Sequence, residues 1–311
     1  MSLFPAPLLV NGATHSAQSF RMMIRDLSNG AEGITQGDDL KVTQLSTPGG
    51  GVQVADGSGI IRGRANTFQG SYSACNIGAT TVSIAPTAGS ARSDMLILRI
   101  EDPQYEGTLN PAVDAIAYFQ VISNVSSSAT AIPDGRTGIP LARIDIPSST
   151  STITDAMIKD IRKVANPRRE RSLLTQSPSS TSTAISGTGA VYSYFSTAAG
   201  WTIAVPSWAS TAKIRLDIGG LRLSANAIYG DISATFGASL SVQPVIIDDN
   251  QTFIRRAPFI MADTLTIPSA YRGTNQLLRV RARGLAGNAG TMIVDTSSTL
   301  IADVQFEEAP R

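Results

Sequence analysis

One cysteine and one histidine occur in 311 residues. With Cys75 alone, no internal disulfide can form. The surrounding SYSACNIG reads as a strand edge, with the thiol packed as a small buried hydrophobe. The same scarcity excludes a zinc site of histidines and cysteines. Any Ser-His-Asp or Cys-His centre would have to use His15, which lies in a turn, NGATHS. Charge is also scarce: charged residues are 16% of the chain and the net charge is +1. RRER at 168–171 is the one basic block, so the basic face of a nucleic-acid binder is missing. No window approaches eighteen uninterrupted apolar residues, and no membrane insertion is expected. MSLFPAPLLVNGATHS lacks the basic start and long apolar core of a signal peptide. No phosphate-cradling loop is present, because the glycines of 49–63 form neither G-x-G-x-x-G nor Gly-Lys-Ser/Thr. Asp248-Asp249-Asn250 lacks calcium-loop spacing and reads as a polar hairpin turn. No metal, no cofactor and no catalytic residue is expected.

Serine, threonine, glycine and asparagine fill the places left by charge, which suits a β-rich protein with many turns. The length allows two domains. Residues 1–13 read as extended. Ser16 caps a short helix whose Phe20, Met23, Ile24 and Leu27 share one face, ended by Asn29-Gly30. Strands follow: LKVTQL, then GGGVQVADGSGIIRG as two strands about an Asp-Gly-Ser-Gly turn. TTVSIAP, DMLILRI, AIAYFQVIS and IPLARIDI continue the pattern. DMLILRI is apolar on both faces and reads as a central, doubly covered strand. Thr154 and Asp155 then start a second helix, with Met157, Ile158, Ile161 and Val164 as its stripe. Asn166-Pro167 ends it.

A composition shift at 168–190 reads as a Ser/Thr/Gly-rich linker. Domains are therefore expected at 1–167 and 191–311. The second is almost purely β-patterned. In AKIRLDI, Ile214, Leu216 and Ile218 alternate with Lys213, Arg215 and Asp217. In QLLRVRARG, Leu278 and Val280 alternate with Arg279, Arg281 and Arg283. Period-two alternation puts one face in a core and the other in solvent or an interface. The expected fold is mainly β: an N-terminal mixed β domain with two short helices, then a C-terminal antiparallel β-sandwich, jelly-roll-like.

Ala-Arg-x-Asp occurs twice, at Arg92/Asp94 and Arg143/Asp145. Each pair shares a strand face. If the strands pair, each arginine is expected to meet the other strand's aspartate. Such a lattice contributes about 0.2–1 kcal/mol per pair and mainly sets register. The alternative is a glycosidase carboxylate pair with Glu101 or Asp102. Trp201, Trp208, Tyr192, Tyr194 and Tyr271 all lie in the second domain, and aromatic rings stack on sugars. Trp201, Trp208 and Tyr271, with Arg279, Arg281 and Arg283, are the candidate saccharide or receptor contacts. For Trp201 a core or inter-subunit place is the plainer reading. For the arginine row the readings are a solvated face, a neighbouring subunit or an anionic wall polymer.

The ordered series DDLKVTQL, GGVQVADGSGIIRG, ARSDMLILRIEDP, IPLARIDIPSST and ITDAMIKDIRKVANPR resembles the N-terminal region of minor tail and baseplate proteins of long-tailed bacteriophages. It covers about residues 15–167 and includes the Asp160-Ile161-Arg162 of the last helix. IPSAYRGTNQLLRVRARG with GTMIVDTSSTLIADVQFEE resembles, more weakly, the C-terminal β-domains of such proteins. The resemblance implies a virion protein at the tail tip, made in the host cytoplasm without a signal peptide. One domain would dock to other tail-tip proteins and the other would meet a host cell-surface glycan. A homotrimer is expected, since symmetric assembly multiplies weak sites. The competing reading is an envelope depolymerase, with Asp217, Asp231, Asp248, Asp249 and Asp263 as candidate acids. A third is a purely structural tail or decoration protein.

Overall fold

The computed structural model describes residues 10–189, 191–198 and 200–311. The part of the expected extended start that precedes Val10 lies outside the described residues. The chain divides into two units, one running to Pro167 and including Ala309–Arg311, the other Arg168–Glu308.

In the first unit, helix α1 (Ala17–Leu27) is followed by β1 (Gly33–Ile34), β2 (Val42–Gln44), β3 (Gly51–Val54), β4 (Gly57–Arg62) and β5 (Ser71–Asn76). Then come β6 (Thr80–Ser83), β7 (Arg92–Ile100), β8 (Ala117–Ile122), β9 (Gly138–Ile146) and β10 (Ile158–Asp160). They form sheets β1-β4-β5, β2-β3-β6 and β10-β9-β7-β8. β7 is interior to its sheet, and Met95, Leu96 and Ile97 on both faces are fully buried. Leu96, Leu98, Leu141 and Ile144 share a core with Leu40, Val52, Val54 and Ile61. β3 and β4 are consecutive but enter different sheets, so Asp56-Gly57 joins layers and does not turn a hairpin. Cys75, expected to be buried, is exposed on β5, the edge strand of its sheet.

The second helix does not form. Residues 155–157 make one 3-10 turn, and Thr154 gives no side-chain cap. Ile158–Asp160 instead pairs antiparallel with Ile144–Ala142. Arg162, expected within that helix, is buried. It forks onto Asp160 and donates to the carbonyls of Asp39 and Arg311. Sheet pairing and this buried fork outweigh helix propensity, which is a weak prior.

Helix α1 forms where expected, with the Ser16 side chain accepting from Ser19 N–H. Its apolar stripe is not in the core: Phe20 is 42% and Leu27 74% exposed, while Met23 and Ile24 are half-buried. The buried side carries Ser19, Arg21 and Ser28. Arg21 decides this orientation. Its guanidinium lies between the rings of Tyr72 and Tyr105, at 5.5 and 5.4 Å from their centroids. It donates to the Gln69 carbonyl and to Gln104, and stands 3.5 Å from Asp102. Asp102 also accepts from the Tyr72 hydroxyl at 2.8 Å. Burial, first of all, raises the Tyr72 pKa well above its ordinary value.

The second unit contains β11 (Arg169–Gln176), β12 (Ser193–Tyr194), β13 (Trp201–Ala204), β14 (Thr211–Ser224) and β15 (Ile228–Phe236). It continues with β16 (Leu240–Asp249), β17 (Arg255–Thr266), β18 (Asn275–Gly284), β19 (Thr291–Ile293) and β20 (Thr299–Glu307). One sheet runs β11-β20-β14-β17, with β19 beside β14. The other runs β12-β18-β15-β16, with β13 also on β18. The antiparallel pairs β11·β20, β12 and β13·β18, β14·β17 and β15·β16 are those of one long hairpin wrapped over itself. This is jelly-roll order. β11 was expected to be linker, yet all eight of its residues pair with β20.

Alternation explains the shared core. On β14, Ala212, Ile214, Leu216 and Ile218 are buried while Lys213 and Arg215 are exposed. Gly219 and Gly220 then shift the register, and Gly220 takes φ +72, open to glycine at little cost. After this bulge the inward residues are Leu221 and Leu223. The outer face of this sheet is a neutralised ladder: Arg171 pairs with Asp303, Lys213 with Glu307 and Arg215 with Asp217.

The unit begins and ends at one point. Arg168 and Glu308 exchange backbone hydrogen bonds with each other's backbone or side chain, and the Arg168 guanidinium grips both Glu308 oxygens at 2.9 and 2.7 Å. The loops joining β13–β14, β15–β16 and β17–β18 surround this crossing. The loops joining β11–β12, β14–β15, β16–β17 and β18–β19 form the opposite end.

Two outcomes follow. Arg21→Ala should destabilise the first unit by about 3 kcal/mol, the scale for removing one partner of a buried ion pair. Leu27→Ser should stay within about 0.5 kcal/mol. Urea-dependent amide exchange of peptides from β4 and β5 checks both, and equal effects would refute Arg21 as the anchor of the helix. The Arg171 hydrogen bond holds Asp303, and that of Lys213 holds Glu307, below their ordinary pKa values of 3.8 and 4.5. Their stabilisation is therefore present above those values and lost as pH falls through the lower folded ones. Melting temperature should be flat from about pH 7 to 5 and fall below about pH 4.5. Asp303→Asn with Glu307→Gln should show a shallower acid limb, and an unchanged limb would contradict the ladder's role.

Candidate functional site

Outward residues of β18 and its neighbours build one face of the second sheet. Register sets Arg283 opposite Asp231, Arg281 opposite Ser233 and Arg279 opposite Thr235 on β15. On the other side, Tyr194 of the short β12 stands opposite Arg281. Tyr192 precedes it by two residues and shares its face. Val280 and Ala282, between the arginines, are buried in the core.

The tyrosines stack on the arginines. Arg279 lies 4.4 Å from the Tyr194 ring centroid; Arg281 and Arg283 lie 4.0 and 4.4 Å from that of Tyr192. Stacking positions a guanidinium without cancelling its charge. Arg283 spends its edge on Asp231, at 2.9 Å. Burial, and then Asp231, raise the Tyr192 hydroxyl pKa, while the hydrogen bond to Asp231 raises that of Arg283. Arg281 donates to the Ser241 hydroxyl at 3.0 Å. The Tyr194 and Thr235 hydroxyls meet at 3.3 Å. Among the described residues, no carboxylate forms an ion pair with Arg279 or Arg281. Their Nε atoms are buried without an acceptor.

The other candidate aromatics sit elsewhere. Trp201 is buried in the sandwich core, beside Leu278 in register. Tyr271 is buried too, and its hydroxyl meets the Ser239 N–H and hydroxyl at 2.7 and 2.8 Å. Trp208 is half-buried, with the Arg168 guanidinium 5.4 Å over its ring. It backs the crossing clasp. These three rings support the fold, and none offers the open platform expected of a sugar contact. Tyr192 and Tyr194 are the rings that join the arginine row. The matching two-residue spacing of YSY and RVRAR was the signal for it.

The four-charge lattice in the first unit also needs correcting. β7 and β9 do pair, but Asp94 stands opposite Ile144 and Asp145 opposite Ser93. The two charge pairs therefore fall on opposite faces of the sheet. Each closes within its own strand: Arg92 onto Asp94 at 2.8 Å and Arg143 onto Asp145 at 2.9 Å. Spare donors of these arginines go to the carbonyls of Ala85 and Ala129. Arg99/Glu101, Asp134/Arg136, Asp160/Arg162 and Arg215/Asp217 repeat this two-residue pairing.

Most candidate acids of the depolymerase reading are engaged. Asp217, Asp231 and Asp249 pair with Arg215, Arg283 and Arg255. Asp263 accepts the backbone N–H groups of Gln243 and Thr264. An open depression of about 550 Å³ on the ladder face is lined by Arg171, Lys213, Arg215, Asp263 and Asp303. Among the described residues, no three of His, Cys, Asp and Glu converge to hold a metal ion, and no helix is long and apolar enough to cross a membrane.

No protein-family model and no curated protein matches the chain. Among solved structures, it is similar to the infectious bursal disease virus VP2 subviral particle, at 12% identity over 94% of this chain and 86% of that one, with a TM-score of 0.24. It is similar to the T13 viral particle of the same virus, at 12% identity over 94% and 85%, with a TM-score of 0.25. Against the insecticidal delta-endotoxin Cry8Ea1 of Bacillus thuringiensis the identity is 8% over 90% and 55%, with a TM-score of 0.18. TM-scores this low carry no argument about fold or function.

Proposed function

We propose that this chain is a structural tail-tip protein of a long-tailed bacteriophage, and that its unit 168–308 attaches the particle to the host surface through carbohydrate or wall-polymer contacts. The first unit docks to other tail-tip proteins, and the protein works as a homotrimer without breaking bonds in its receptor. One observation carries the reading: the chain enters and leaves the second unit at the same end of its sandwich. Chain crossing, the Arg168–Glu308 clasp, Trp208 and Tyr271 all belong to that end. At the other end the loops brace one another. Asn288 donates to the Gly187 carbonyl and accepts from Tyr229 N–H, and Asn226 N–H reaches the Thr252 carbonyl. Phe253 and Ile254, 62% and 61% exposed, stand on the β16–β17 loop of that end. A braced loop cluster away from the chain crossing, with a stacked arginine face on its flank, suits presentation to a surface. The carboxylates tied to arginine or backbone suit binding better than acid–base work.

Full-length protein should sediment with envelopes of the host bacterium and release no reducing sugar from them. Sedimentation equilibrium should give three times the 32.6 kDa chain mass. Reducing ends that disappear in Asp231→Asn or Asp263→Asn would establish the depolymerase instead. Failure of the trimer to bind envelopes would leave a scaffold.

A further inference from the structure

The strongest unexplained feature is the cationic part of the stacked face. Most arginines in this chain reach a carboxylate within ion-pair distance. Arg25, Arg62, Arg222, Arg279 and Arg281 show none, and Arg279 and Arg281 are the two of these that are partly buried neighbours on one strand face. Asp231, the acid next to them, is held by Arg283. Asp248 lies further along the face, opposite Tyr229. Buried donors without acceptors are rare in folded proteins, and each calls for an explanation. Among the described residues five arginine Nε atoms are of this kind, at Arg99, Arg272, Arg279, Arg281 and Arg311, and two of the five lie side by side on β18.

We infer that Arg279 and Arg281, stacked on Tyr194 and Tyr192, form a binding site for an anionic glycan, a polyol or sugar chain carrying phosphate, sulfate or carboxylate groups. This rests on the attachment reading and names its ligand class. A guanidinium offers paired donors in a plane that matches oxyanions. The two arginines are two residues apart on one strand, roughly 7 Å. That spacing suits anions on successive units of a polymer. The rings fix both guanidinium planes before the ligand arrives, which lowers the ordering cost of binding. The hydroxyls of Ser241, Thr235 and Tyr194 lie along the same strip and can meet those of a polyol. Nucleic acid fits less well. Its bases need open aromatic faces, and guanidinium groups already stack on these rings. Two unpaired cations are also a small footprint for a phosphate backbone.

The test is affinity electrophoresis of the full chain through gels holding dextran sulfate, poly(glycerol phosphate), polygalacturonate, neutral dextran or poly(dT). At least one anionic glycan should retard the protein, with retardation weakening as salt rises, while neutral dextran has no effect. Comparison of the three polyanions separates sulfate, phosphate and carboxylate. Arg279→Gln with Arg281→Gln should weaken binding at least tenfold. Arg279→Lys with Arg281→Lys keeps the charge but not the flat stack, and should lie between the two. Arg62→Gln should behave as the original protein. Unchanged retardation in the double glutamine variant, with its melting curve intact, would overturn the site. So would tighter binding of poly(dT) than of every glycan. Envelope binding without retention by any polyanion would refute this ligand class and leave attachment standing. Polyanion retention without envelope binding would refute attachment.

Discussion

The pairing of β11 with β20 is the constraint on which the second unit depends. It joins residues more than a hundred positions apart, so loop-closure entropy must be overcome before the contact stabilises anything. Once made, it brings Arg168 and Glu308 together and sets the order of both sheets. It also gives the sandwich two unlike ends. One carries the crossing and its aromatic supports. The other carries four loops braced by asparagine and backbone hydrogen bonds. The arginine row lies on β18, which runs from the first end towards the second.

Charge is used differently on the two outer faces of the sandwich. On the β11-β20-β14-β17 side, cations and anions interleave, and the hydrogen bonds to Arg171 and Lys213 keep Asp303 and Glu307 ionised. Exposed pairs of this kind contribute little each, but they leave no excess field. On the β12-β18-β15-β16 side, Arg283 is neutralised and Arg279 and Arg281 are held by ring stacking. Stacking positions a cation without cancelling its charge. That difference gives one face a sign in a protein whose net charge is close to zero.

Much of the β architecture was legible in the sequence because alternation is a local property. Lys213 to Ile218 and Leu278 to Arg283 show their inward and outward sets directly, and the doubly apolar 94–100 segment reads as interior. What stayed hidden depends on partners. Residues 158–160 carry a helical stripe, yet β9 offers them a sheet edge. The linker composition of 168–190 masks β11, whose partner lies at the far end of the chain. Arg92/Asp94 and Arg143/Asp145 reveal their strands, but a register offset of one residue sends them to opposite faces. Helix α1 shows its stripe clearly, but the Arg21–Asp102 cluster that the helix buries instead depends on partners far along the chain. For the site, the arginine row was visible, whereas Tyr192 and Tyr194 needed the short β12 to bring them beside it.

The side-by-side crossing at Arg168 and Glu308 has an evolutionary consequence. The sandwich is spliced into its neighbour as a detour: the chain leaves after Pro167 and comes back for Ala309–Arg311, where Arg311 bonds Gly37 and Asp38. A gene segment encoding 168–308 is therefore a cassette. Exchange at its two borders replaces the whole sandwich and leaves the remaining polypeptide's path unaltered.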